Sequence, residues 1–212
     1  MRVVDIEKTD ILPVLLEEFK DHLRIDGADE DASLSSFLSV AVQLVEQRYD
    51  MAIIARSAHV FLDRWDIPGK VKERWWQGVA EGSVESLFCA GKFALLPVKP
   101  LISISQIDTQ DATGDWQLWP AANYTVVQGL EGGVNRKSGN SWPVPECAKD
   151  GIRLAVTYGF SDTWNGIPGS LQQAVLMLAA FLYTNRGTSQ TGDVFMASGV
   201  KPILSPYERK RL

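Results

Sequence analysis

The sequence predicts an α+β fold, on three observations. Apolar residues recur at spacings of three and four near the N-terminus and again over residues 168–186. Between about 53 and 158 they alternate instead, in several short runs. Compact turn sequences such as DATGD separate some of those runs, which favours antiparallel pairing over long crossovers.

The first element, residues 14–23, sets Leu15, Leu16, Phe19 and Leu23 at helical spacing and stops at RIDGADED, where Gly27 breaks the chain. Asp29, Glu30 and Asp31 then suit the positive end of a second helix macrodipole. That helix is predicted over residues 29–49, with Leu34, Phe37, Leu38, Ala41, Val42, Val45 and Tyr49 as its buried stripe. Two helices joined by a short loop predict a hairpin.

The period then changes. RSAHVFLDRW, residues 56–65, places His59, Phe61, Asp63 and Trp65 on one face and Ala58, Val60, Leu62 and Arg64 on the other, as in a strand. Residues 66–94 have no clear period, and ERWWQGVAEG reads as a surface loop or helical turn. After LLPVKP, the runs LISISQID and WQLW flank DATGD as a hairpin, and NYTVVQ and GIRLAVTYG complete an antiparallel sheet of about five short strands. The intervening GLEGGVNRKSGNSWPVPE reads as loop, with a tight reversal at Gly132 and Gly133.

The last helix is predicted over residues 168–186, with Pro168 in its first turn and Gly187 past its end. Leu171, Val175, Leu178 and Leu182 form one stripe, and Leu176, Met177, Ala180 and Phe181 cover most of the rest, so the helix should be buried from several directions. Residues 191–212 read as a mobile loop, with Val194, Phe195 and Met196 exposed, followed by a basic tail with few core positions.

Composition narrows the chemistry. With 212 residues, 45% hydrophobic and 22% charged, the chain can bury a substantial core. Its net charge of -5 argues against affinity gained by neutralising phosphates. Cys89 and Cys147 form no metal-ligand pattern, His22 and His59 have no partner at ligand spacing, and no metal or cofactor is expected. A reducing cytosol is the default compartment. The first residues lack a secretory h-region, and the longest apolar run, 174–183, is ten residues, where a bilayer span takes about 20.

Enzyme signatures are thin. GFSDT misses the nucleophile-elbow pattern around Ser161, and GLEGGV lacks the spacing of a dinucleotide loop. Asp63 and Asp66 form a carboxylate pair at a strand end, which reads as a solvated rim before it reads as an acid and base. Trp75, Trp76, Trp116, Trp119, Trp142 and Trp164 lie in or near predicted loops and allow an alternative function, a carbohydrate- or ligand-binding platform, although core or interface use is favoured.

Four blocks, FKDHLRIDGADEDASLSSFLSVAVQLVEQR, LLPVKPLISISQI, VTYGFSDTWNGIPGSLQQAVLMLAAFLYTNRG and SGVKPILSPYERKRL, together and in this order resemble the head-tail connector (adaptor) proteins of tailed bacteriophages, prophages and gene transfer agents. Leu23, Arg24, Asp26 and Asp29 carry the pattern in the first block, Pro97, Pro100 and Leu101 in the second, and Pro168, Leu171, Ala174, Leu178, Tyr183, Asn185 and Arg186 in the third. The resemblance implies a structural virion protein without catalytic residues. Its single connector domain would span residues 1–190, the helices forming a core around a β-rich insertion at about 53–158, with 191–212 as loop and docking tail. It implies a ring of about a dozen copies below the portal protein, joined to a stopper or tail-completion protein, with DNA passing through unbound. Partner docking is expected from Pro206, Tyr207, Arg209 and Arg211.

Overall fold

The chain divides into two units, Lys8–Ala55 with Gly159–Leu212 and Met1–Glu7 with Arg56–Tyr158. The computed structural model describes residues 2–8, 12–65, 75–76, 79–80, 92–147, 149–187 and 192–208. Asp66, Cys89, Arg209 and Arg211, the side chain of Leu15 and most of residues 66–94 lie outside the described set.

The first unit is helical. Its elements are α1 (Leu12–Leu23), α2 (Asp31–Tyr49), α3 (Gly169–Thr184), α4 (Val194–Ala197) and α5 (Lys201–Leu204), with 3-10 turns at Trp164–Gly166 and Ser205–Tyr207. Both N-terminal helices stop without glycine. Arg24, at φ 57°, lets the Ile25 N–H reach the Lys20 carbonyl at 3.0 Å and its own N–H reach that of Asp21 at 3.2 Å, a Schellman arrangement. Asp50, at φ 51°, ends α2 similarly, the Met51 N–H donating to Glu46 O at 3.1 Å. The Ile53 N–H then donates to the Glu46 carboxylate at 2.9 Å, so one residue satisfies the helix end and the chain leaving it.

The apolar stripes meet in one core. Phe19 of α1, Leu34, Leu38, Ala41 and Val45 of α2, and Leu171, Ala174, Val175, Leu178 and Ala179 of α3 are buried together with Ile53 and Trp164. α3 is shorter than the predicted 168–186 because Pro168 is its N-cap, outside the helix proper, and Asn185 its C-cap. Its remaining apolar residues, Met177, Ala180, Phe181 and Leu182, are half-buried, so the helix is covered on one broad face and partly on the others.

The C-terminal segment departs from expectation. Phe195, Val200 and Leu204 are buried in the same core, Val194 packs against it, and only Met196 of the expected exposed trio is exposed. Each short turn contributes one apolar residue, a pattern without the long periodicity that marks a core element in sequence.

The second unit is β-rich. Its main sheet has the order β1 (Arg2–Lys8), β2 (Arg56–Leu62), β10 (Ile152–Tyr158), β6 (Leu101–Gln110), β7 (Trp116–Leu118). β10 is central and pairs antiparallel with β2, from Ile152 against Leu62 to Tyr158 against Arg56, and with β6 on its other side. Along β2, Ala58, Val60 and Leu62 are buried and their neighbours half-buried, which matches the alternation. A second sheet orders β5 (Phe93–Leu95), β9 (Gly133–Arg136) and β8 (Tyr124–Val127), and β3 (Trp75–Trp76) pairs with β4 (Val79–Ala80).

Five strands were not expected: β3, β4 and β5 fall in or at the end of residues 66–94, read as without clear period, and β1 and β9 elsewhere. β1 lacks clean alternation, and β9 falls in the predicted loop. Gly132 and Gly133 do not make the reversal there. A Cβ on Gly133 would sit 2.2 Å from Ala94 O and one on Gly132 2.3 Å from Leu101 Cβ, so these glycines admit close strand approach. Where the chain leaves β10, Gly159 has φ 122°, and a Cβ there would lie 2.5 Å from Ala55 Cα.

Candidate assembly surfaces

The C-terminal segment is fastened by named contacts. Asp193 caps α4 by accepting the Phe195 N–H at 3.1 Å and pairs with Arg48 at 3.6 Å. The Phe195 ring meets Tyr49 edge-on at 6.0 Å, and burial, then Glu208, raises the Tyr49 phenol above its ordinary pKa. Tyr207 stands edge-on to Phe160 at 5.8 Å, its hydroxyl 3.0 Å from Ser170 Oγ. Of the expected docking residues, Pro206 is exposed and Tyr207 is half-buried against its own unit.

The structure brings two of the resemblance blocks together. Tyr183 donates to Glu30 Oε2 at 2.5 Å, Arg186 approaches the same oxygen at 3.5 Å, and the Arg186 guanidinium lies 4.7 Å from the Tyr183 ring centre. Phe37 supports Tyr183 edge-on at 5.9 Å. Glu30 was legible only as a helix-start acid. Asp26 and Asp29 are exposed, Leu23 is half-buried, and in the second unit Pro100 and Leu101 are buried after a cis Lys99–Pro100 bond.

Among the described residues of the β-rich unit, the buried Asp108 carboxylate is paired with Arg153, and several aromatic rings pack together. Asp108 accepts from Arg153 Nε at 3.1 Å and Nη2 at 2.8 Å and from Gln106 on both oxygens, while the Arg153 guanidinium lies 4.5 Å from the Trp116 ring centre. Trp65, Trp119 and Trp142 pack on one another with ring centres 4.7–5.7 Å apart, and Trp119 stacks on Tyr124 at 5.0 Å. Among the described residues, these three rings are tilted against one another, Trp119 buried and Trp65 and Trp142 half-buried. Trp164, in the helical unit, is buried and donates to Glu18.

The catalytic candidates have structural uses. Asp63 accepts the Asp150 N–H at 2.8 Å, and that bond first of all holds its carboxyl below the ordinary range. Ser161 Oγ accepts the Thr163 N–H at 3.2 Å in a local turn. His22 is exposed at the end of α1, and His59 meets Phe61 edge-on at 6.2 Å. Among the described residues no group of three or more His, Cys, Asp or Glu is placed to hold a metal, and no helix is long and apolar enough to cross a membrane.

Residues 13–71, which take in α1 after Leu12 and all of α2 and β2, match the family model of the phage gp6-like head-tail connector protein. No curated protein matches the chain. Among solved structures, the chain is similar to a subunit in the neck of an empty gene transfer agent particle, computed with C6 symmetry, at 25% identity and a TM-score of 0.74. The match covers 100% of this chain and 97% of that one. Subunits in the virion of a native gene transfer agent particle and in the neck of a native particle, computed with C12 symmetry, match with the same identity and coverage and a TM-score of 0.71.

Proposed function

We propose that this chain, whose residues 13–71 match the model of the phage gp6-like head-tail connector protein, is a connector of that kind and works as a ring-forming structural protein in the neck of a phage-like particle. The observation that carries this reading is the agreement of the family match with a neck subunit's fold over the whole chain. The finer arrangement follows from the same reading: α1 and α2 form a hairpin on α3, and the helical unit frames the ring.

Neighbours in such a ring are further copies of the chain, about a dozen, related by one repeated heterologous contact. The portal lies on the head side and a stopper or tail-completion protein on the tail side. DNA passes without being gripped, in keeping with a net charge of -5. The role is assembly and not catalysis, at the head-tail joint of the virion after assembly in the host cytoplasm. Partner docking falls to Pro206, Tyr207, Arg209 and Arg211. Tyr207 is steadied by Phe160 and Ser170, and Pro206 beside it is exposed. The carbohydrate-binding alternative loses its basis in the packed Trp65, Trp119 and Trp142 cluster.

Deleting the gene in a producing host tests the reading. DNA-filled heads without tails are expected, rescued by the gene in trans. Normal yields of tailed, DNA-delivering particles would overturn it.

A further inference from the structure

The main sheet ends, among the described residues, in two strands without an outer partner, β1 and β7. β1 exposes aliphatic residues on both faces, Val3 on one and Val4 and Ile6 on the other, at 37%, 42% and 55%. The charges of Arg2 and Asp5 find partners in its own unit. Asp5 accepts from Tyr158 at 2.7 Å and pairs with Arg56 at 3.6 Å, and Arg2 pairs with Asp150 at 3.5 Å while its guanidinium lies 4.6 Å from the Phe61 ring centre. Arg2 and Asp5 stay partly exposed, and beside them the edge offers backbone and the aliphatic surface of Val3, Val4 and Ile6, the kind of edge that recruits another strand unless it is covered. At the other end of the sheet, Leu118 of β7 is 62% exposed, the most exposed large apolar residue of the described strands.

We propose that β1 of one copy of this chain adds to the β7 edge of the next, continuing the sheet from subunit to subunit. The inference rests on the ring reading above. Neighbours in a cyclic ring are not related by a two-fold axis, so β1 cannot pair with the neighbour's β1 and must meet a different surface. β7 lies on the opposite edge of the same sheet. Adding β1 to it satisfies open backbone groups on both partners, sets Val4 and Ile6, which share one face of β1, beside Leu118, and repeats as one head-to-tail contact.

The test uses full-length chain carrying C89S and C147S, with Val4→Cys, Leu118→Cys or both, recovered in assembled necks and oxidised. The double variant is expected to give a ladder of disulfide-linked oligomers and each single variant only monomer. Rings that give no ladder, or dimers from Val4→Cys alone, overturn edge pairing and leave the connector reading intact. A wild-type chain absent from every neck overturns the connector reading itself. In a second arm, Ile6→Lys and Leu118→Lys should melt like wild type yet enter particles at least tenfold less. Normal incorporation of both contradicts the proposal even if the cysteine variants fail to assemble.

Discussion

Tyr183, in the last turn of α3, donates its phenol proton to Glu30, just before α2, at 2.5 Å. The bond ties residues 153 positions apart and draws Arg186 to the same carboxylate. Because Glu30 and Arg186 are 45% and 55% exposed, the ion pair is screened and contributes little. Glu30→Ala is therefore expected to lower stability by about 1 kcal/mol or less, read from the urea midpoint. A loss several times larger would mean the clamp organises the loop before α2.

The core of the helical unit should behave differently. Leu178 is fully buried on α3. Leu178→Ala should cost about 2–5 kcal/mol, and Leu178→Asp should prevent folding, since a buried unpaired charge costs several kcal/mol. Circular dichroism melting decides both. A wild-type melt for Leu178→Asp would contradict the burial.

Folding and docking divide within the C-terminal segment. Leu204 is fully buried, so Leu204→Ala should cost about 2–5 kcal/mol and removal of residues 201–212 should destabilise the subunit strongly. Removing only residues 209–212, with Arg209 and Arg211, should leave the melting temperature within a few degrees and abolish incorporation into particles. Normal assembly of that short truncation would place the docking element elsewhere.

A pH effect should be local to the β6–β7 turn. Asp111 accepts from the Thr113 hydroxyl at 2.6 Å, from Gln117 at 3.1 Å and from the N–H groups of Thr113 and Asp115 at 3.0 Å. The Thr113 hydroxyl first, then Gln117, hold its pKa down to about 2 from 3.8. A depressed carboxylate stabilises the fold above its unfolded pKa, and that contribution is lost as pH falls from about 4 through about 2. NMR titration should show the low midpoint in wild type and a higher one in Thr113→Val. The stability gap between the two proteins should close in that acid window. A midpoint near 3.8 in wild type would contradict the turn geometry.

Legibility followed periodicity. The α2 stripe from Leu34 to Tyr49 and the β2 alternation each bury one face of one continuous run, and the β6–β7 hairpin follows from its turn sequence DATGD, so the sequence shows all three directly. β1 escaped because an edge strand exposed on both faces has no reason to alternate. β9 escaped because Gly132 and Gly133 read as punctuation, although they are there to let β5 and β6 come close. The C-terminal segment escaped because Phe195, Val200 and Leu204 enter the core singly from short turns. Among the assembly candidates, Tyr183 and Arg186 were legible from the resemblance, while their partner Glu30 became visible only once α3 had been placed against the start of α2.

The central claim is that this chain forms the ring joining head to tail, and a cryo-electron microscopy reconstruction of the neck from the producing host's own particles tests it most directly. The account predicts a cyclic ring at that joint into which both units of this chain fit, one copy per repeat. A fully interpreted neck built from other chains, with this one absent from the purified particles, would contradict it.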